Sequence, residues 1–156
     1  MIGGKMLFYP LLRPERINLD LKNKKKVGVL KELVKMIKGE EDEKLVETLL
    51  KREELGSTGI GKGIAIPHCR SLLVDKLEIA VGYSKSGVDF DAIDKKPVHL
   101  LFLIVAPPHD IGNQYLLTLG RVAAICQQLT KKRKLVVPDT PQEFIKMIKE
   151  IEEKIK

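Results

Sequence analysis

The apolar run at residues 98–105 constrains the fold more than any other segment of the chain. Its nearly unbroken series of apolar residues predicts a strand that is buried on both faces, and Pro107 and Pro108 close it. Shorter apolar segments at residues 64–66 and 77–83 predict two further strands. Because the three strands follow each other too closely for a helical crossover between each pair, we expect a mixed sheet.

Apolar residues at helical spacing predict two helices before this group of strands. The first is expected to start after a cap at Asn23 and to run to about Lys38, where Gly39 stops it. The second should run from about Glu41 to residues 52–55. An alternating segment at residues 17–21 adds a half-buried strand ahead of both helices.

Two more helices are predicted after the strands. One of about fifteen residues should begin at Asn113, and the last should begin at the capping box of Thr140 and Glu143. The expected inward face of the first contains Leu116, Leu119, Ala123 and Cys126. We therefore expect an α/β protein with three layers, α/β/α, in which helices flank both faces of the mixed sheet.

The size and composition of the chain limit the classes of protein to which it can belong. With 156 residues, 44% of them hydrophobic, we expect residues 1–156 to form a single domain. No apolar run approaches the roughly 20 residues that cross a bilayer, and the first residues lack the apolar core of a signal peptide. We expect a cytoplasmic protein without membrane insertion, in which Cys69 and Cys126 are reduced thiols.

Positive charge is concentrated in two short runs, at residues 24–26 and 131–134, and the formal net charge is +7. Such a balance favours acidic partners or nucleic acid. Neither run has an aromatic residue beside it, and aromatic residues make up only 4% of the chain, so no base-stacking surface is apparent. We therefore interpret both runs as solvated helix ends and expect no nucleic-acid partner.

Three histidines are candidates for chemistry, namely His68, His99 and His109. His68 follows a short apolar strand and the glycine-rich segment 56–63, where a neutral imidazole could act as a nucleophile toward phosphorus. A structural or merely exposed histidine is the alternative. His99 lies in the buried strand and His109 in the proline-rich loop, and their spacings give little support to a zinc site.

Residues 52–68, which end in Gly63-Ile64-Ala65-Ile66-Pro67-His68, resemble the active-site signature of a known family. The family is that of the type-2 enzyme IIA domains of the phosphoenolpyruvate-dependent sugar phosphotransferase system, with fructose, mannitol and nitrogen-regulatory branches. Supporting similarity covers about residues 13–150 and is closest to the nitrogen-regulatory branch. The resemblance implies the same three-layer fold.

The resemblance implies that His68 accepts a phosphoryl group from the phosphohistidine of a small HPr-like carrier protein. His68 would then pass the group to a cysteine of an enzyme IIB partner (EIIB), or use it for regulation. Arg52 stands at the position of the family's active-site arginine and would grip phosphate oxygens. The loop residues Thr58, Gly61 and Gly63 are expected to give the phosphoryl group and its carrier close access. No cofactor and no metal are implied.

Tyr115 departs from the family pattern, which has another histidine at this place. A tyrosine hydroxyl donates a hydrogen bond but carries no positive charge at neutral pH, a loss of about 1–3 kcal/mol in transition-state stabilisation. His109 could compensate from the loop, or could be an exposed loop residue. The family prefers a small residue at the position of Cys69, so we expect this cysteine to be there for its size.

Two functions remain open at this point. The first is a stand-alone phosphocarrier, and the second is a binding module that docks on partner proteins without transferring phosphate. The sequence identifies neither the sugar or regulatory target nor the oligomeric state.

Overall fold

The computed structural model describes residues 6–155, and the strands of this part form one six-stranded sheet. The strands are β1 (Ile17–Asn18), β2 (Gly59–Gly61), β3 (Ile64–Ala65), β4 (His68–Arg70), β5 (Glu78–Val88) and β6 (Val98–Ala106). Their order is β1-β5-β6-β3-β2, and β4 also pairs with β6. The β5–β6 and β2–β3 pairs are antiparallel, whereas β1 runs parallel to β5, and β3 and β4 run parallel to β6. The predicted mixed sheet is confirmed.

Four α-helices cover the two faces of this sheet in the described part of the chain. They are α1 (Lys26–Lys38), α2 (Glu43–Glu54), α3 (Gln114–Leu129) and α4 (Pro141–Glu153), and short 3-10 helices lie at Tyr9–Leu11, Pro14–Arg16 and Ile111–Asn113. One buried cluster joins α1 and α2 to one face of the sheet, and a second joins α3 and α4 to the other. The three-layer prediction is therefore also confirmed. No helix between residues 6 and 155 is both long and apolar enough to cross a bilayer.

The helix ends follow their local sequence signals, with one exception. Gly39 ends α1 with a φ of 80°, and Thr140 accepts a hydrogen bond from the Glu143 backbone N–H as a capping box requires. The predicted cap at Asn23 is wrong, because its amide donates to Glu32 and α1 begins at Lys26 without a side-chain cap.

Two strand predictions differ from the structure. The strand expected at residues 17–21 ends at Asn18, whose Oδ1 accepts a hydrogen bond from the Asp20 N–H at 2.9 Å and bends the chain. The strand expected at residues 77–83 is longer than predicted, because β5 continues to Val88 through an irregular register.

The inward face of α3 is rotated from the predicted one. Leu116 is 57% exposed and Ala123 is exposed, so that part of the prediction was wrong. The buried residues of α3 are Tyr115, Thr118, Val122, Ile125, Cys126 and Leu129. Two apolar stripes overlap on this helix, and the core takes the one that contains the β-branched Val122 and Ile125.

Glu152 anchors the beginning of the described chain to the last helix. Its carboxylate, 1% exposed, accepts hydrogen bonds from the Phe8 N–H at 2.8 and 2.9 Å and from the Tyr9 N–H at 2.8 Å. Arg121 of α3 donates its Nε–H to the same carboxylate at 2.9 Å. The buried charge is thus fully paired, which is the condition under which such a group is tolerated.

We predict that Glu152→Gln lowers the free energy of unfolding by about 2–4 kcal/mol, because Arg121 loses its counter-charge and an N–H loses its acceptor. Glu153→Gln is the matched control, since Glu153 is its exposed neighbour on the same helix. Urea unfolding of both variants measures the difference. Equal midpoints for the two variants would contradict the anchoring role.

Candidate functional site

His68 begins a strand at a break in the sheet edge. Strands β3 and β4 lie end to end along β6, with Ile64 opposite Leu100 and His68 opposite Ile104. Pro67 separates them, and its carbonyl still accepts a hydrogen bond from the Ile104 N–H at 3.0 Å. His68 is therefore the first residue of β4 and not the end of a loop.

The imidazole of His68 has a defined tautomer. Its Nδ1 lies 2.6 Å from the carbonyl oxygen of Ile66. Because a carbonyl oxygen only accepts, Nδ1 carries the proton and the lone pair is on Nε2. Burial lowers the pKa of His68 from its ordinary value of 6.5, the bond to Ile66 opposes that change, and the cation of Arg52 lowers the pKa further. The ring is thus neutral at pH 7.

Tyr115 and Arg70 lie on the same side of the sheet as His68. The ring centroids of His68 and Tyr115 are 6.1 Å apart, and the Arg70 guanidinium is 4.6 Å from the Tyr115 centroid. Asp110 accepts a hydrogen bond from the Tyr115 N–H at 2.7 Å and lies 3.9 Å from Arg70. Burial raises the pKa of Tyr115 to about 12, so its hydroxyl stays protonated.

Arg52 approaches from the opposite face, in the last turn of α2. Its Nη1 donates to the carbonyl oxygen of Gly56 at 3.0 Å. Its charge lowers the pKa values of both His68 and Tyr115, although burial raises that of Tyr115 overall. The site therefore contains two cations, Arg52 and Arg70, one from each side of the sheet.

A buried carboxylate holds the loop behind His68. Glu53 accepts hydrogen bonds from the Thr58 N–H at 3.0 Å and from Thr58 Oγ1 at 2.5 Å, and Lys26 Nζ lies 3.3 Å away. The Thr58 carbonyl in turn accepts from the N–H of Ile66 at 3.0 Å. Ile66, whose carbonyl orients the His68 ring, is therefore linked through Thr58 to the ion pair of Glu53 and Lys26.

Gly61 and Gly63, which we expected beside His68, lie at the other end of the hairpin. Gly61 faces Asp94, and the Gly63 carbonyl accepts from the N–H groups of His99 and Leu100. From the strand register, about four residues or roughly 13 Å separate this end of β3 from His68. The structure brings Arg52, Thr58 and Tyr115 to His68, but not these two glycines.

The other two histidines and the cysteine have separate environments. His99 donates its Nδ1–H to the Ser84 carbonyl at 2.7 Å, and His109 is exposed in its loop. Cys69 is buried on the face covered by α1 and α2, and burial raises its pKa to about 12. Over residues 6–155, no three His, Cys, Asp or Glu side chains converge as metal ligands would.

Four strongly exposed apolar side chains lie close along the chain to residues of the site. Leu55 is 86% exposed, Leu72 84%, Ile111 93% and Leu116 57%. Leu55 follows the turn of Arg52, Leu72 follows β4, and the other two flank Tyr115 along the chain. We call these four side chains the apolar rim. Exposed apolar side chains grouped on one surface are typical of a site that contacts another protein.

Sequence reasoning missed Glu53, Arg70 and Asp110. Arg70 could have been found, because it alternates with His68 and therefore shares its face once residues 68–70 are taken as a strand. Asp110 could have been found as an acidic residue just before a helix. Nothing in the sequence marks Glu53 as buried, since it lies between charged neighbours.

The chain is similar to known proteins along nearly its whole length. Residues 10–151 match the family model described as "Phosphoenolpyruvate-dependent sugar phosphotransferase system, EIIA 2". The chain belongs to this family.

Relatives of the chain include nitrogen regulatory proteins and fructose-specific components. It is 31% identical to a nitrogen regulatory protein of Pseudomonas aeruginosa, over 91% of this chain and 94% of that protein. It is 34% identical to the fructose-specific EIIABC component of Bacillus subtilis over 88% of this chain, but spans only 22% of that protein's length. The crystal structure of the nitrogen regulatory protein IIA-Ntr from Neisseria meningitidis aligns with a TM-score of 0.79 and 29% identity, covering 90% of this chain and 97% of that one. The family includes both phosphocarrier and regulatory members, and both roles fit this chain.

We predict that His68 is the Nδ1–H tautomer and that it titrates with a midpoint below 6.5, because burial disfavours the imidazolium. Long-range proton–nitrogen NMR spectra recorded between pH 4.5 and 8 measure both, and His68→Gln assigns the signals. An Nε2–H tautomer or a midpoint above 6.5 would contradict the geometry described above.

Proposed function

We propose that the protein is a phosphocarrier of the phosphotransferase system, in which His68 is phosphorylated on Nε2. The observation that carries the proposal is the hydrogen bond from Nδ1 to the Ile66 carbonyl, which leaves Nε2 as the nucleophile. The donor is a phosphohistidine of an HPr-like carrier protein. The acceptor is an EIIB cysteine, or the phosphorylated protein itself acts as a regulatory signal in the cytoplasm.

The transfer requires no net proton movement at His68. The Nε2 lone pair attacks phosphorus, the new N–P bond forms as the donor's N–P bond breaks, and the donor imidazole keeps the electron pair. Nδ1–H remains bonded to Ile66 before and after the step. The ring orientation is therefore the same in both states, which reduces the reorganisation that the reaction requires.

Arg52 and Arg70 are proposed to stabilise the negative charge of the transferred group. A phosphoryl group in transfer spreads charge over three oxygens, and guanidinium groups are suited to bind them. Arg52 acts electrostatically on the ring from the α2 side, and Arg70 lies over Tyr115 on the α3 side. The hydroxyl of Tyr115 adds a neutral donor, since it stays protonated throughout the physiological range.

The apolar rim is proposed to dock the protein partners. Both the donor and the acceptor in this reaction are macromolecules, so the site must be approached by a protein surface. The rim places apolar contact area at Leu55, Leu72, Ile111 and Leu116 around a charged centre. In this arrangement the apolar rim supplies the affinity for the partner, and His68 with its neighbouring cations carries out phosphoryl transfer.

The alternative function is a module that binds partners and does not transfer phosphate. Tyr115 favours it, because this residue cannot supply the charge of the histidine found at the same place in the family. In that case the apolar rim alone would carry the function.

We predict that incubation with phosphoenolpyruvate, enzyme I and the HPr-like carrier labels the protein with acid-labile, base-stable phosphate. His68→Ala should abolish the label, and His109→Ala, which changes an exposed histidine, should retain it. Gel autoradiography or intact mass measures the outcome. An unlabelled wild-type protein would support the binding-module alternative, and equal labelling of the His68→Ala variant would exclude His68 as the phosphoryl acceptor.

We predict that Arg70→Gln slows phosphoryl transfer about 10- to 100-fold at saturating carrier, because one of two cations beside the phosphoryl group is lost. Arg13→Gln is the control, since Arg13 is an exposed arginine in another part of the fold. Adding Tyr115→His to Arg70→Gln should restore part of the rate by returning a chargeable group. Rapid-quench kinetics measures the three rates, and identical rates for Arg70→Gln and Arg13→Gln would exclude a charge role for Arg70.

A further inference from the structure

A basic cleft opens at the opposite end of β6 from His68. Its volume is about 850 Å³, and it lies between the β2–β3 hairpin, β5 with its following turn, and the segment after α3. Seven basic side chains line it: Lys62, Lys85 and Lys96 on one side and residues 131–134 on the other. We call this cavity the basic cleft.

The positive charge of the basic cleft is not neutralised by the protein. Asp94 is its single carboxylate lining residue among those described, and it accepts hydrogen bonds from the N–H groups of Lys62 at 3.0 Å and Lys96 at 3.1 Å. These bonds hold the pKa of Asp94 below its ordinary value of 3.8. None of the seven basic side chains forms an ion pair with a carboxylate of residues 6–155.

The fold holds these charges together from distant parts of the sequence. The Gly63 carbonyl accepts from the N–H groups of His99 and Leu100 at 2.8 and 2.9 Å, which fixes the hairpin against the start of β6. Leu135 reaches the same point, 3.8 Å from where a Cβ on Gly63 would lie. Like charges gathered around one cavity repel each other, and a bound anion would relieve that repulsion.

We propose that the basic cleft binds a small anion that carries two or more phosphate groups, such as a polyphosphate or a nucleoside triphosphate. Its volume lies within the range of roughly 300–1,000 Å³ that is typical of small-molecule sites. Lysine and arginine side chains supply the donors that phosphate oxygens require. Tyr83, Pro97 and Leu129 give the cleft an apolar wall.

The shape and composition of the basic cleft favour a small anion over nucleic acid. Its charges face each other across a cavity and do not form an extended stripe along the surface. Tyr83 is the one aromatic residue among its lining residues, whereas a surface that binds single strands stacks successive bases on several aromatic rings. The site is independent of the proposed phosphoryl transfer, because His68 lies outside it.

Titration calorimetry with inorganic tripolyphosphate and with ATP, both without added metal, tests the proposal. We expect binding at one site and an increase in melting temperature. Lys85→Gln with Arg133→Gln should weaken binding at least about tenfold, because one cation is lost from each side of the cavity. Lys35→Gln with Lys146→Gln removes the same charge from exposed positions outside the basic cleft and should change affinity less than about twofold.

Comparing the two ligands distinguishes a free polyphosphate from a nucleotide as the bound anion. Equal affinity for tripolyphosphate and ATP would show that the basic cleft recognises the phosphate chain alone. Tighter binding of ATP would show that the apolar wall also contacts the base or the sugar. His68→Ala should bind as the wild type does, which distinguishes this site from that of phosphoryl transfer. Absence of binding at millimolar ligand, equal weakening in both double variants, or tighter binding of an oligonucleotide than of either ligand would overturn the proposal.

Discussion

The pairing of β6 with three other strands is the constraint on which the rest of the structure depends. This strand is buried along nearly its whole length and pairs with β5 on one side and with β3 and β4 on the other. Because β3 and β4 share one neighbour, the break at Pro67 cannot shift their register. The break instead frees the Ile66 carbonyl to orient His68, so the position of this imidazole depends on the most buried strand of the sheet.

The sequence predicts those parts of the fold that depend on local periodicity and caps. The buried strand at residues 98–105, the mixed sheet and the capping box at Thr140 are all confirmed. The predictions are wrong where the local sequence fits two arrangements equally well and tertiary contacts determine which one forms. Two apolar stripes overlap on α3, and only the sheet decides that Tyr115 is buried and Leu116 exposed.

The candidate site is predictable only where a long motif contains it. His68 and Arg52 belong to such a motif, and Tyr115 is recognised as a departure from the same family pattern. Arg70 contacts the Tyr115 ring of α3, and Glu53 binds Thr58 beneath the loop, so both belong to the site through tertiary contacts. The glycine-rich segment illustrates the reverse error, because chain proximity to His68 suggested spatial proximity, whereas the hairpin carries Gly61 and Gly63 away from it.

The group that orients the His68 ring determines what a tyrosine at position 115, in place of a histidine, would change. If a side chain oriented His68, replacing a histidine there would disturb both geometry and charge. The orienting acceptor is instead the backbone of Ile66, tied through Thr58 to the buried Glu53. In the proposed phosphocarrier, Tyr115 would therefore change the electrostatics of the site and leave the ring orientation to the backbone, and Arg70 already places a cation over the Tyr115 ring. A guanidinium stays charged across the physiological pH range, so Arg70 would supply a permanent charge where the family pattern has a titratable one.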